Sequence, residues 1–402
     1  MKYDFDKIVD RRGTNSLKYD FARERGRRED VLPLWVADMD FPTAPSIRER
    51  LQKTVEHGIF GYSEGKEAYF RAVADWYQRH FGWEVQEEWL VKTPGVVFAI
   101  AAAIRAFTEE GEAVLIQQPV YYPFSEVITD NNRVLVNNPL KQVNGHYEID
   151  FEEFERKIVE NKVKLFLLCS PHNPVGRVWQ EWELRKVGDI CLKYGVLVVS
   201  DEIHSDFTYE GHKHLVFASL SPEYAEITVT CTAPSKTFNL AGLQVSNIFI
   251  SNEKLREQFK KAIAAAGYSQ VNVMGLVACQ AAYETAEDWL VQLKEYLAGN
   301  LAFVRSYLRE NIPQIELVEP EGTYLLWLDF RKLSLSEEER EDLIVNKAKL
   351  WLDSGAMFGE DGEGFERINI ACPRKVLEQA LGQLREAMQR PAWESSHRLS
   401  SQ

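Results

Sequence analysis

The sequence has few of the features that would place it at a glance. Nowhere in its 402 residues is there a run approaching the ~20 consecutive apolar residues of a membrane span. Its five cysteines (Cys169, Cys191, Cys231, Cys279, Cys372) are odd in number and contain no CxxC pair. That argues against a disulfide framework and for reduced thiols buried as small hydrophobes. Positive charge is in deficit, with a net charge of −14, so a nucleic-acid partner is excluded as an expectation. The opening Met1–Asp6 carries acids where a signal peptide needs an apolar run. The expected compartment is therefore the cytoplasm. There is no HExxH, no Walker-type phosphate loop, no GxGxxG loop and no internal repeat. His204, His212 and His214 could in principle share a metal, but the His212-Lys213-His214 stretch is charged and contains glycine. Solvated histidines fit it better, and no metal is expected.

What remains is a chain of ordinary globular composition, too long for a single core. Cores stop growing at about 250–300 residues, which predicts two lobes. Short apolar runs at 113–116, 134–136, 165–169, 196–200, 228–231 and 247–250 read as strands. Helical patterns lie between several of them, at 98–107, 151–159 and 181–194. This alternation predicts a largely parallel sheet covered by helices on both faces. Residues 254–308 are mostly helical in pattern. A smaller α+β unit follows, with strands at 315–318, 324–329 and 367–371 and helices near 337–354 and 376–388. The predicted division is an N-terminal arm or part of the small domain over 1–45, a large domain over 46–290, a small domain over 291–390, and a disordered tail over 391–402.

Ligands of open parallel sheets bind beyond the carboxyl ends of the strands, and each strand end carries candidates. Asp201 follows the 196–200 run. It is placed either to cap a helix or to pair with a protonated ring nitrogen. Asn173 sits in Ser170-Pro171-His172-Asn173-Pro174-Val175-Gly176, a tight loop that is either a plain turn or one that turns an amide to a ligand. Lys236, in Thr232-Ala233-Pro234-Ser235-Lys236-Thr237, stands among small and hydroxyl residues. Desolvation there would lower its pKa and leave a nucleophilic amine; a solvated surface lysine is the alternative. Gly95, Val96 and Val97 open a helix whose free N–H groups could cradle phosphate. In Pro119-Val120-Tyr121-Tyr122-Pro123, one tyrosine could stack on an aromatic ring. Phosphate cradle, stacking ring, Asn loop, strand-end acid and amine occur in one order along the chain.

That order, with the strings Ser-Pro-His-Asn-Pro-Val-Gly, Ser-Asp-Glu-Ile-His and Ala-Pro-Ser-Lys-Thr-Phe-Asn-Leu-Ala-Gly-Leu, resembles fold-type-I enzymes that use pyridoxal 5′-phosphate (PLP). The resemblance covers nearly the whole chain. Trp35–Phe41, Gly61-Tyr62, Arg367-Ile368-Asn369 and Cys372-Pro373 resemble the cystathionine β-lyase branch of the MalY/PatB type. The resemblance implies an aspartate-aminotransferase-like large domain with a mixed, mostly parallel seven-stranded sheet, and a smaller α+β C-terminal domain. It implies that Lys236 anchors PLP covalently, Asp201 pairs with the ring nitrogen, Asn173 bonds the ring hydroxyl and Tyr121 stacks on the ring. It assigns the phosphate to the amides of Gly95, Val96 and Val97 and to Ser235. Tyr62 would reach the phosphate of a neighbouring subunit, which implies a homodimer with shared sites. Arg367 would clamp the substrate carboxylate, with Tyr121 and Ala37 as further substrate contacts. Three positions depart from the wider fold. His204 stands where aminotransferases usually carry a Tyr, Ala233 where many relatives carry a phosphate-binding Ser, and Gln244 where aminotransferases place a phosphate-binding Arg.

The implied reaction is β-elimination on L-cystathionine or a related S-substituted L-cysteine, giving a thiol, pyruvate and ammonia. An aminotransferase begins with the same Cα deprotonation, so only the branch-specific strings favour the lyase. A PLP-carrying regulatory protein that docks a partner is the alternative of another class.

Overall fold

The computed structural model describes residues 2–389; the tail expectation for 391–402 lies outside them. Seven strands form the main sheet: β1 (Leu90–Thr93), β2 (Ala113–Ile116), β3 (Val134–Asn137), β4 (Leu165–Cys169), β5 (Leu197–Asp201), β6 (Thr228–Thr232) and β7 (Ser246–Phe249). Their spatial order is β1-β7-β6-β5-β4-β2-β3. β7 runs antiparallel to both of its neighbours, and the other pairings are parallel. The mixed, mostly parallel sheet expected from the resemblance is therefore present.

Each central strand is buried on both faces. In β4, Leu165, Leu167 and Cys169 join one apolar cluster with the helix Val96–Phe107 (α1), while Phe166 and Leu168 join another with Phe151–Asn161 (α2) and Glu181–Tyr194 (α3). Alternate side chains of a strand point to opposite faces, so two apolar faces produce an unbroken apolar run. That is why Leu-Phe-Leu-Leu-Cys was readable as a strand.

The second lobe carries a four-stranded antiparallel sheet of β8 (Glu316–Val318), β9 (Leu325–Asp329), β10 (Asp353–Ser354) and β11 (Phe365–Asn369), in the order β8-β9-β11-β10. The 25-residue helix Glu287–Asn311 leads into it without a break at residue 290. The helix expected over 337–354 is a correction. Helical structure spans Glu337–Lys347, ending in a π-turn, and Lys349 then adopts a left-handed backbone with φ 54°. Leu350–Trp351 instead pairs in parallel with Leu32–Pro33 from the other end of the chain.

That pairing seats the N-terminal segment on the second lobe. The amide of Leu34 donates to the Trp351 carbonyl, that of Asn369 to the Leu34 carbonyl, and that of Asp40 to the Ala371 carbonyl. Beneath it lies a charge cluster. Asp40 accepts from Arg11 at 2.7 Å, from the fully buried Lys18 at 3.0 Å and from the Tyr19 hydroxyl at 3.0 Å. Arg11 also binds Asp38 at 2.6 Å. Each buried charge has a counter-charge, which offsets its desolvation.

Candidate active site

Because β1 runs with the parallel strands, the loops after β1, β2, β4, β5 and β6 leave the sheet at one edge. They converge on a cavity of about 190 Å³. Lys236, Asp201, Asn173, Tyr121 and His204 all line it, as do Ala37, Ser235 and the Gly95–Val97 backbone.

Lys236 sits on the short helix Pro234–Thr237 after β6. The next residue pins that helix, the Thr237 hydroxyl donating to Asp206 at 2.6 Å. Lys236 Nζ donates to the Ala37 carbonyl at 2.9 Å. Removal from water pulls its ammonium down to about 8; Asp38 and Asp201 oppose that shift, and Arg367 adds to it. This is an amine that releases its proton near neutrality, not a solvated lysine.

Asp201 is the last residue of β5, buried opposite Cys169 of β4. Its Oδ1 accepts the Ile203 amide at 3.1 Å. Burial pushes its carboxyl up to about 7, with the Ile203 amide and Lys236 drawing it back. Such a group becomes a firm carboxylate only opposite a cation in the cavity. His204 is held neutral, first by burial and then by the charges of Lys236 and Arg367. Its Nδ1 is buried with no partner among the described residues. Glu202, between them in sequence, is structural: it accepts from Ser200 at 2.8 Å and binds His214 at 2.8 Å. The three histidines weighed as metal ligands are thus not brought together, since His212 faces Glu321 at 4.0 Å.

Asn173 and Tyr121 are locked to each other, the Tyr121 amide donating to the Asn173 carbonyl at 3.0 Å. Asn173 Oδ1 accepts from Arg367 Nη1 at 2.9 Å. Arg367, buried in β11, lies directly opposite Asp353 in the register, which explains their ion pair. Its Nη2 also donates to the Trp35 carbonyl at 3.1 Å, while its Nε is buried without a partner among the described residues. At the opposite end, a Cβ built on Gly95 meets no atom within 4 Å. The start of α1 therefore offers open amides there.

Tyr62 is not brought to the cavity of its own chain; it is 97% exposed, in a segment with exposed Ile59 and Phe60. The lining also includes Pro94, Cys169, Ile203, Ala241 and Val245, which the sequence does not single out as site residues. Cys169 and Ile203 adjoin the strings already singled out, so following each strand end in full would have found them. Gln244, singled out where aminotransferases place a phosphate-binding Arg, lines the cavity with a left-handed backbone at φ 48°, unusual for a residue that is not glycine.

PLP fits this donor set. A cationic ring nitrogen suits the otherwise unpaired side of Asp201, a ring hydroxyl suits Asn173 and the unpartnered His204, and a phosphate suits the open amides at Gly95. Among the described residues Lys236 is the one Lys or Arg that lines the cavity; Gln244 and Ser235 line it too.

The class I and II aminotransferase family matches residues 29–384. The chain is 43% identical over 384 residues to cystathionine β-lyase PatB of Bacillus subtilis (strain 168), covering 96% of this chain and 99% of that protein. Among solved structures it is similar to cystalysin from Treponema denticola, which contains a pyridoxal 5′-phosphate cofactor. That match has a TM-score of 0.93 and 39% identity, and covers 96% of this chain and 99% of the other. The PLP-bound C–S lyase from Staphylococcus hominis matches with a TM-score of 0.91 and 32% identity, over 97% and 99% of the two chains.

Proposed function

The chain belongs to the class I and II aminotransferase family, and from that premise we propose that it is a PLP-dependent carbon–sulfur β-lyase. Its substrates are L-cystathionine and related S-substituted L-cysteines, cleaved to a thiol, pyruvate and ammonia. The observation that carries this reading is the Lys236 amine, desolvated and facing Asp201 across the cavity. Elimination is preferred to amino transfer because the similar proteins named above include a cystathionine β-lyase and a C–S lyase.

PLP, when bound, supplies an electron sink for the pair left at the substrate Cα. Lys236 anchors it and, once free, its Nζ takes the Cα proton as general base. Asp201 would keep the ring nitrogen protonated. Asn173 and the neutral His204 would bond the ring hydroxyl, and Tyr121 would cover the ring. The Gly95–Val97 amides and Ser235 would hold the phosphate. Arg367, held by Asn173, Trp35 and Asp353, would take the substrate carboxylate through its remaining donor, the buried Nε–H, with Tyr121 and Ala37 as further contacts. As the Cβ–S bond breaks, sulfur leaves with the bonding pair and takes up the proton that Lys236 removed, giving the thiol. The remaining aminoacrylate takes up one water to give pyruvate and ammonia.

We read the active form as a homodimer. The exposed Ile59, Phe60 and Tyr62 support this, with Tyr62 reaching the phosphate of the partner subunit. No described helix is long and apolar enough to cross a membrane, and all five cysteines are free and buried. A cytoplasmic location accords with both.

The test is to supply the purified protein with L-cystathionine and PLP and follow pyruvate. Stoichiometric pyruvate, ammonia and thiol are expected; transfer of the amino group to a 2-oxo acid without pyruvate would leave the aminotransferase reading instead. In the same assay, Arg367→Lys should raise KM about 10- to 100-fold, because an ammonium cannot reproduce the planar contacts of guanidinium. Its absorbance spectrum without substrate should match that of the unsubstituted protein. An unchanged KM would remove Arg367 from the substrate site.

A further inference from the structure

The Ala37 carbonyl that accepts the Lys236 amine is shared. The Tyr324 hydroxyl donates to the same oxygen at 3.0 Å, from a fully buried position at the start of β9. The tyrosine ring is fixed by edge contacts with Phe207, at 4.9 Å between ring centroids, and with His204, at 5.9 Å. Burial, with the charge of Asp38, lifts its hydroxyl far above the ordinary phenol range, so it is a neutral donor at any working pH. The carbonyl cannot drift away from the two donors. Asn369 Nδ2 holds the carbonyls on either side, of Val36 and Asp38, each at 2.6 Å. Asn239 holds the Met39 amide and the carbonyls of Met39 and Phe41 at 2.9–3.0 Å. Two side-chain amides thus fix the backbone on which Tyr324 and Lys236 meet.

We propose that Tyr324 is a positioning residue of the reaction: by occupying part of the Ala37 carbonyl, it limits how well that oxygen can hold the Lys236 ammonium, and so keeps the amine ready to leave as a base. An oxygen that accepts two hydrogen bonds gives less to each. Deleting the neutral donor leaves more of the oxygen to the cation, and the charged form of Lys236 gains. The other charged and titratable groups facing that amine are Asp38 from the N-terminal segment, Asp201 at the end of β5, His204 in the loop after it, and Arg367 on β11. Tyr324→Phe keeps the ring that meets His204 and removes only the hydroxyl.

The experiment measures the reactivity of Lys236 directly. Full-length protein freed of cofactor is pulsed with acetic anhydride across a pH series, and the modified peptide is quantified by mass spectrometry. In the unsubstituted protein, half-maximal labelling is expected near pH 8. Tyr324→Phe should move that midpoint up by about half a pH unit, since one unit corresponds to 1.36 kcal/mol and a shared neutral hydrogen bond is worth less than that. The rising limb of kcat, which reports the complex in which the Lys236 amine is free, should move the same way. A 3-fluorotyrosine at position 324, a stronger donor, should move the midpoint down. It keeps the buried hydroxyl and so covers the case in which Tyr324→Phe does not fold. Midpoints that coincide, or that move in the opposite directions, overturn the proposal. The inference rests on Lys236 being the reacting amine, and that reading is tested separately by replacing the lysine.

Discussion

Lys236→Ala is expected to abolish pyruvate formation from L-cystathionine, by about 10³-fold or more, and to remove the absorbance of lysine-bound cofactor near the visible edge. Two functions would go with one nitrogen, the covalent anchor and the base that takes the Cα proton, and general bases alone are worth roughly 10²–10⁴-fold. Lys236→Arg makes the test sharper. It keeps a cation opposite Asp201 and beside the Ala37 carbonyl, but guanidinium does not release a proton in any working range. If charge at this place were all that mattered, Lys236→Arg would retain activity. The amine reading requires that it be as inactive as Lys236→Ala. A Lys236→Arg variant that turns over cystathionine at the original rate sinks the assignment.

The second large effect is expected at Asp201. Its carboxyl is pushed up to about 7 by burial, and it reaches full charge only when a cation faces it. In the proposed function a protonated ring nitrogen would be that cation, and each group would stabilise the charge of the other. Asp201→Asn keeps the shape and the bond from the Ile203 amide but removes the charge. A fall in kcat on the order of 10²–10³ is expected, the size seen when a single preorganised electrostatic contact is deleted in a buried site. The KM for cystathionine should change little, because the proposed function gives the substrate carboxylate to Arg367 and not to Asp201. A drop confined to KM would show that Asp201 serves substrate binding and not the ring. An unchanged kcat would reduce the residue to a backbone cap on Ile203.

The sequence made the sheet legible because its central strands are sandwiched. β2, β4 and β6 are buried at every position, so each is a short apolar or β-branched run ending at a turn. β1 escaped notice for the converse reason. Leu-Val-Lys-Thr lies at the sheet edge and is only half-buried, with Lys92 facing out. The 337–354 region was misjudged because Leu350, Trp351 and Leu352 continue a helical apolar pattern. What stops the helix there is pairing with residues more than 300 positions earlier, and no local window contains that information. The site divides along the same line. Asp201, Asn173 and Lys236 stand directly after strands and were found by that rule. Tyr324, Asn369 and Asp353 were not, because they act through carbonyls and charges contributed by distant parts of the chain.

The Trp35–Phe41 backbone has a bearing on how the protein is made. Three of the groups that fix it, Trp351, Asn369 and Ala371, lie more than 300 residues further along the chain. Residues 90–250 contain every strand of the large sheet, but the wall carrying Ala37 is complete only when residues as far along as Ala371 are in place. The pocket around Lys236 is thus finished later than the sheet that carries the lysine.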